Sequence, residues 1–173
     1  MDTLEAIFNR RSIRRYKTTP VEKKDVELLL KAGMYAPTAN NTQSCQFVVI
    51  DERIVLDALS VAHPYAKMLK TAPLAIIVCG DRTLEKEDFY LSINGSAATQ
   101  NILLAAHALG LGSVWLGVYG RADRMQGIAK LFNLPEHVIP ISAIAIGHPD
   151  EKKETENRYN ESKIHFNSWR NKV

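Results

Sequence analysis

Cysteine is nearly absent from this chain. Cys45 and Cys79 are the only two among 173 residues, and they form no CxxC pair. A disulfide scaffold is thereby excluded, and a reducing compartment becomes the default. No apolar run approaches the roughly 18 to 20 residues that span a bilayer. The opening MDTLEAIFNRR puts acids ahead of a short amphipathic stretch. It has neither the basic start nor the apolar run of a signal peptide. A cytoplasmic protein without membrane contact is expected. The five histidines, His63, His107, His137, His148 and His165, include no HxxxH pair and have no cysteine or carboxylate at ligand spacing, so no metal is expected. GxSxG and P-loop motifs are missing too. A chain without a catalytic side-chain signature is one in which a cofactor does the chemistry.

What is present is ordinary globular material: 46% hydrophobic and 24% charged residues, enough for one domain over 1–173 and no second core. The net charge of +3 is unevenly spread. Arg10, Arg11, Arg14, Arg15 and Lys17 fall within eight positions, and without them the total drops to −2. A nucleic-acid track spreads its positive charge over a face or several elements. One compact knot suits a single phosphate better, because guanidinium groups give forked, charge-assisted hydrogen bonds to phosphate oxygens. A solvated basic turn and a nucleic-acid patch remain open for the same residues.

Periodicity predicts a short helix ending near Asn9 to Arg11, with Leu4, Ile7 and Phe8 on its apolar face. Thr19-Pro20-Val21-Glu22 reads as a capping box opening a second helix, whose apolar face is Val26, Leu29, Leu30 and Met34. Ala36 to Gln43 has no periodicity and reads as a polar loop. Strands are expected at 46–50, 73–79, 113–118 and 139–146, with short helices at 54–61, 65–70 and 123–132. The longest helix runs from about Lys86 to Leu109, with Gly110 as a left-handed cap backed by Leu111. Strands apolar on both faces and separated by helices imply a sheet covered on both sides. The long helix is apolar nearly all round, interleaved with small residues such as Ser92, Gly95, Ala98 and Ala105. A helix of that kind is buried on every side, and a partner chain is the economical way to bury it. From Asp150 the chain is a polar C-terminal arm, about 150–173.

The glycines of Gly110-Leu111-Gly112-Ser113-Val114-Trp115-Leu116-Gly117 invite a dinucleotide reading. It fails because Trp115 stands where the third glycine belongs and the order is helix then strand. Gly117 is different: at a strand end, its missing side chain lets backbone N–H approach a flat ligand. Cys79, inside an apolar strand, reads as a buried small hydrophobe.

The RRSIR knot, APTANNTQ, the helix ending AAHALGLGSVWLGV, and IGHPDE followed by Arg158 together resemble the FMN-dependent nitroreductase family, in order, from Ala6 to about Arg158. The resemblance implies an α/β (α+β) three-layer fold with a mixed central β-sheet flanked by helices. It also implies a two-fold homodimer with two FMN sites at its interface. Arg10, Arg11, Ser12 and Arg14 match the segment that holds the FMN phosphate and ribityl chain. Pro37, Thr38, Ala39 and Asn41 match a loop that comes from the partner subunit. Leu116, Gly117 and Val118 match the strand end beside the isoalloxazine, Gly117 at the N–H facing the reactive ring nitrogen. Arg158 matches a basic residue that returns to the phosphate. The implied activity is hydride transfer from NADH or NADPH to a small electrophilic acceptor, a nitroaromatic or quinone, by a ping-pong cycle in one pocket. No catalytic side chain is implied. Ser44-Cys45 replaces the family's usual Pro-Trp, and Glu156 stands where lysine is common. Specialised flavin chemistry (dehydrogenation, dehalogenation or flavin fragmentation) is the alternative within the family, and a non-enzymatic basic binding module is the alternative outside it.

Overall fold

The computed structural model describes residues 1–169. Residues 170–173 of the expected arm lie outside the described residues. The elements are α1 (Thr3–Asn9), α2 (Lys23–Met34), β1 (Cys45–Ile50), α3 (Arg53–Ala62), β2 (Leu74–Asp81), α4 (Asp88–Ala108), β3 (Gly112–Gly117), α5 (Ala122–Leu131) and β4 (Val138–Gly147). The four strands form one sheet in the order β1-β2-β4-β3, so β3 is an edge strand.

Three layers follow from the alternation of side chains along β2, which is buried at every position. Ala75, Ile77 and Cys79 point to one face, where they meet Leu56 and Leu59 of α3 and Ile128 of α5. Leu74, Ile76 and Val78 point to the other, against Leu29 of α2 and Ala98, Ile102 and Ala106 of α4. Strands sandwiched this way lose alternation in sequence and become continuous apolar runs.

The pairing departs from a mixed sheet in one respect. All three strand pairs are antiparallel, and the parallel component is a single bridge between Ser12 and Ser113 at the edge of β3.

Two local readings are corrected. The second helix starts at Lys23, not at a Thr19 capping box, and Glu22 at its N-cap makes no side-chain cap bond. The preceding segment is tied to a distant one instead: Tyr16 bridges Pro149, and Lys17 N–H donates to the His148 carbonyl at 2.9 Å. The helix expected at 65–70 is only a 3₁₀ turn over Lys67–Lys70.

The end of α4 matches expectation. Gly110 has φ +75°, its N–H donates to His107 O at 3.0 Å, and Leu111 N–H donates to Ala106 O at 2.8 Å. That is the Schellman pair of bonds, with Leu111 buried beneath it.

The long helix is not buried on every side by its own chain. Leu91, Gly95, Ala98, Ile102 and Ala106 face inward, while Phe89, at 65% exposed, and Ile93, at 47%, lie on an open stripe. The apolar residues of α1 behave alike, Leu4 and Phe8 both being more than half exposed.

Candidate active site

Helix α1 delivers the basic knot. Asp2 caps its start, accepting from Glu5 N–H at 2.8 Å, and Arg10 closes its end with an N–H bond to Ala6 O. The chain then runs along the free edge of β3, Ile13 N–H donating to Ser113 O at 3.0 Å. The Glu151 carboxylate accepts from the backbone N–H of Arg14 at 2.5 Å and of Arg15 at 3.2 Å. The first of these bonds is the main reason its carboxyl is held below the usual range. With the backbone fixed in this way, the side chains of the knot are left to project.

Those side chains are not equivalent. Arg11 is committed to the protein: Nε donates to Glu154 O at 3.1 Å, and Nη1 to Phe8 O and Arg10 O, each at 2.8 Å. Arg10 has no carboxylate partner among the described residues. Burial holds its guanidinium below the usual arginine range, and the charges of Arg158 and Arg11 push the same way. Arg158 itself is exposed, its Nη2 3.8 Å from the Glu156 carboxylate.

A cavity of about 350 Å³ opens here, lined by Arg10, Arg11, Ile13, His107, Ser113 and Lys153 among others. Three buried polar atoms of its lining residues, Arg11 Nη2, His107 Nε2 and Ser113 Oγ, have no hydrogen-bond partner. Buried donors are almost always satisfied. Unpaired polar atoms beside guanidinium groups that repel one another fit a terminal phosphate, to which Arg11 Nη2 and the Ser113 hydroxyl can donate.

Further along the same edge lies Gly117. Ser113 directs its carbonyl outward to Ile13, while Val118 N–H turns inward to Ile141 O. Strand alternation therefore points the N–H and C=O of Trp115 and Gly117 outward as well. A Cβ built on Gly117 would meet nothing within 4 Å. A second cavity, of about 580 Å³, is lined by Arg14, His63, Tyr65, Lys67, Trp115 and Gly117 among others. From Ser113 to Gly117 is about 13 Å of strand. One edge thus carries anion donors at one end and an outward N–H beside an open cavity at the other.

The loop 37–43 is built for rigidity. Asn40, Asn41 and Gln43 all have positive φ, between 50° and 54°, a conformation that asparagine tolerates better than most residues. Thr38 Oγ1 accepts from Gln43 N–H at 3.0 Å. Asn94 of α4, buried, accepts from Ala39 N–H at 2.9 Å and donates to Ser44 Oγ at 3.2 Å. This anchor separates the loop from the knot. Asn94 is thirteen residues from His107 on α4, about 20 Å along the helix at 1.5 Å per residue. Within one chain, Pro37, Thr38, Ala39 and Asn41 thus sit at the Asn94 end of α4, whereas Arg10 shares a cavity with His107 at the other end. Leu116 and Val118, flanking Gly117, are buried.

Burial pushes the Cys45 thiol up to about 11 and the Cys79 thiol to about 12, so neither is a thiolate near neutrality. Sequence reasoning missed Asn94, Ser44, Glu151, His63 and Arg124. An Asn within an apolar helix is a signal for the first. A histidine in a short loop carries none.

A family model described as the nitroreductase family matches residues 7–64 and 57–148. A protein of Methanothermobacter thermautotrophicus named "Putative NADH dehydrogenase/NAD(P)H nitroreductase" is 46% identical over 169 residues, covering 98% of this chain and 88% of its own. The structure of an FMN-dependent nitroreductase from Clostridium difficile superposes with a TM-score of 0.89 at 34% identity, covering 96% of this chain and 99% of that one. A crystal structure from Desulfovibrio desulfuricans, in complex with FMN, superposes with a TM-score of 0.80 at 36% identity over 92% of each chain.

Proposed function

The chain belongs to the nitroreductase family, and on that premise we propose that it is an FMN-dependent oxidoreductase working as a homodimer with two shared sites. One observation carries the reading: unneutralised guanidinium groups and an outward Gly117 N–H share one strand edge, while the polar loop is anchored about 20 Å along α4 from the guanidinium end of that edge. A single site that uses both must take its loop from a second copy. The open apolar stripe of α4 and the exposed face of α1 supply the surface for that copy.

Arg10, Ser12, Arg14 and Arg158 hold the phosphate and the chain attached to it. Arg11 adds its free Nη2 while fixing the tail. Pro37, Thr38, Ala39 and Asn41 of the second copy close over the ring, and Leu116, Gly117 and Val118 present the edge it lies against. FMN, when bound, supplies the chemistry by taking a hydride from NADH or NADPH and handing it to a small electrophilic acceptor such as a nitroaromatic or quinone. The protein's residues bind and orient the cofactor, and backbone N–H groups and cations favour negative charge on it. No side chain is needed as acid or base, which agrees with thiols that burial keeps protonated. Two cysteines left unpaired suit the reducing cytoplasm.

The test is direct. Purified protein is yellow, releases FMN and not FAD at one per chain, and bleaches anaerobically on addition of NAD(P)H. Initial-rate lines are parallel when the acceptor is varied against the nicotinamide. Colourless protein that takes up no FMN refutes the assignment, and intersecting lines refute the ping-pong cycle.

A further inference from the structure

The Gly117 carbonyl receives two side-chain donors that strand pairing does not require. His63 Nε2 donates to it at 2.9 Å and Arg124 Nη1 at 2.8 Å. A carbonyl oxygen only accepts, so Nε2 carries the proton. Tyr65 N–H donates to Nδ1 of the same ring at 3.2 Å, which makes Nδ1 the acceptor. Both bonds select one neutral tautomer. His63 is only 1% exposed, and burial, with the Arg124 charge adding to it, holds its pKa below the ordinary imidazole value. The Arg124 guanidinium in turn lies 5.2 Å from the centre of the Tyr65 ring, close enough for a cation–π contact that restrains it.

Three elements converge on this oxygen: His63 follows α3, Arg124 lies in the first turn of α5, and Gly117 ends β3. Gly117 is exposed, no side chain restrains it, and its own N–H and C=O point away from β4. Glycine has the widest backbone freedom of any residue. The peptide after Gly117 is held by its other end, Val118 N–H donating to Ile141 O at 3.3 Å, so its carbonyl oxygen stands outward on the edge that carries the Gly117 N–H.

We infer that His63, together with Arg124, caps the Gly117 carbonyl oxygen, so that the edge beside the flavin ring presents the Gly117 N–H with no unpaired oxygen opposing it. The inference rests on the FMN reading above. Its electrostatic consequence is specific. An unpartnered carbonyl oxygen at the edge disfavours negative charge beside it, and two donors, one of them cationic, cancel that field. The cap therefore favours reduced over oxidised cofactor, without touching it.

The experiment compares wild type, His63→Ala, His63→Gln and Arg124→Ala, each reconstituted with FMN. The dissociation constant of oxidised FMN and the midpoint potential of the bound flavin are measured, with a melting curve as the check on folding. His63→Ala is expected to bind oxidised FMN within about threefold of wild type, in keeping with contacts it does not itself make, and to lose about tenfold in preference for the reduced form. For a two-electron couple that loss is a midpoint about 30 mV lower. Arg124→Ala moves the potential the same way. His63→Gln, whose side-chain amide can still donate, recovers most of the loss. A purely packing role for His63 would lower the melting temperature and leave the potential in place.

If His63→Ala does not fold, the exposed Arg124 contact carries the test through Arg124→Ala. An unshifted potential in either folded alanine variant overturns the cap, as does a glutamine variant as low as the alanine. Wild-type protein that binds no FMN overturns the cofactor reading itself, a separate result visible before any variant is made.

Discussion

Replacing Arg10 and Arg11 one at a time should give different signatures, although the two are neighbours in a run that looks uniform. Arg10 has no acid partner among the described residues and is pressed by burial and by the charges of Arg158 and Arg11. Arg10→Ala removes one of three mutually repelling cations, so the apoprotein should melt at the wild-type temperature or slightly above. It also removes a charge-assisted contact to phosphate, worth about 1.5 to 3 kcal/mol. At 1.4 kcal/mol per decade, the FMN dissociation constant should rise roughly ten- to a hundred-fold. The loss should shrink as salt is added, because screening weakens the wild-type contact.

Arg11→Ala should act first on stability, with a smaller loss of affinity from its Nη2 than Arg10→Ala causes. It deletes three hydrogen bonds to backbone carbonyls, at 3.1, 2.8 and 2.8 Å. Two of these are exposed, so water can replace them, and the net cost is about 1 to 2 kcal/mol. For a chain of this size each kcal/mol is about 2 to 4 °C of melting temperature. A drop of roughly 2 to 8 °C should therefore appear in both the apoprotein and the FMN-saturated protein. Fluorescence titration with FMN and melting curves with and without it separate the two effects. An Arg10→Ala variant with unchanged affinity would return the knot to a solvated turn. An Arg11→Ala variant that loses affinity while the apoprotein stays as stable as wild type would refute the division of labour between them.

Three further outcomes are expected. Mixing Arg14→Ala subunits with Asn41→Ala subunits should restore activity after subunit exchange, because one site of each heterodimer is intact and the other doubly damaged; exchange without recovery means that each chain builds its own site. Gly117→Val should fold and dimerise, since the space around its Cβ is open, yet it should bind FMN weakly or accept hydride slowly; wild-type affinity and rate would remove Gly117 from the site. Glu151 has its carboxyl pKa depressed in the fold, so its stabilisation is complete above the unfolded value near 4.5 and fades as pH falls through the folded value. Glu151→Gln should therefore flatten the acid limb of melting temperature against pH, and an unchanged limb would show that the carboxylate is not what anchors Arg14 and Arg15.

The layers of the fold were legible because strands buried on both faces become apolar runs, as Ala75 to Cys79 do. The cap of α4 was legible because only a glycine takes φ +75° without cost. Strand direction was not, because an apolar run is the same read against a parallel or an antiparallel neighbour. The start of α2 was misread because Thr19 to Glu22 has local capping chemistry while long-range bonds to His148 and Pro149 tie the preceding segment to a distant one. In the site, a run of arginines announced positive charge but not which guanidinium the backbone would claim. That choice depends on where residue 154 returns, 143 positions later. The contribution of His63 was invisible for the same reason, since its partner Gly117 is 54 positions away.

One physical problem links the edge of β3, the stripe on α4 and the distant loop. An edge strand leaves a row of backbone groups unpaired, which invites association with any other strand. Here the first position is closed by the Ser12–Ser113 bridge, and the outward carbonyl of Gly117 is closed by His63 and Arg124. What stays open between them are the Trp115 backbone groups and the Gly117 N–H, flanked by cationic side chains. A ligand with a phosphate and a flat polar ring satisfies those donors without offering a strand of its own. Asn94 holds the polar loop about 20 Å along α4 from the guanidinium end of this edge, so in the proposed dimer a second copy that buried Phe89 and Ile93 would also complete the site. In that proposed dimer, burial of the apolar stripe and occupation of the edge would be one thermodynamic event. On this account FMN should raise the melting temperature of the dimer more than that of any variant whose α4 stripe has been made polar, such as Ile93→Lys, and equal gains in both would separate the two processes.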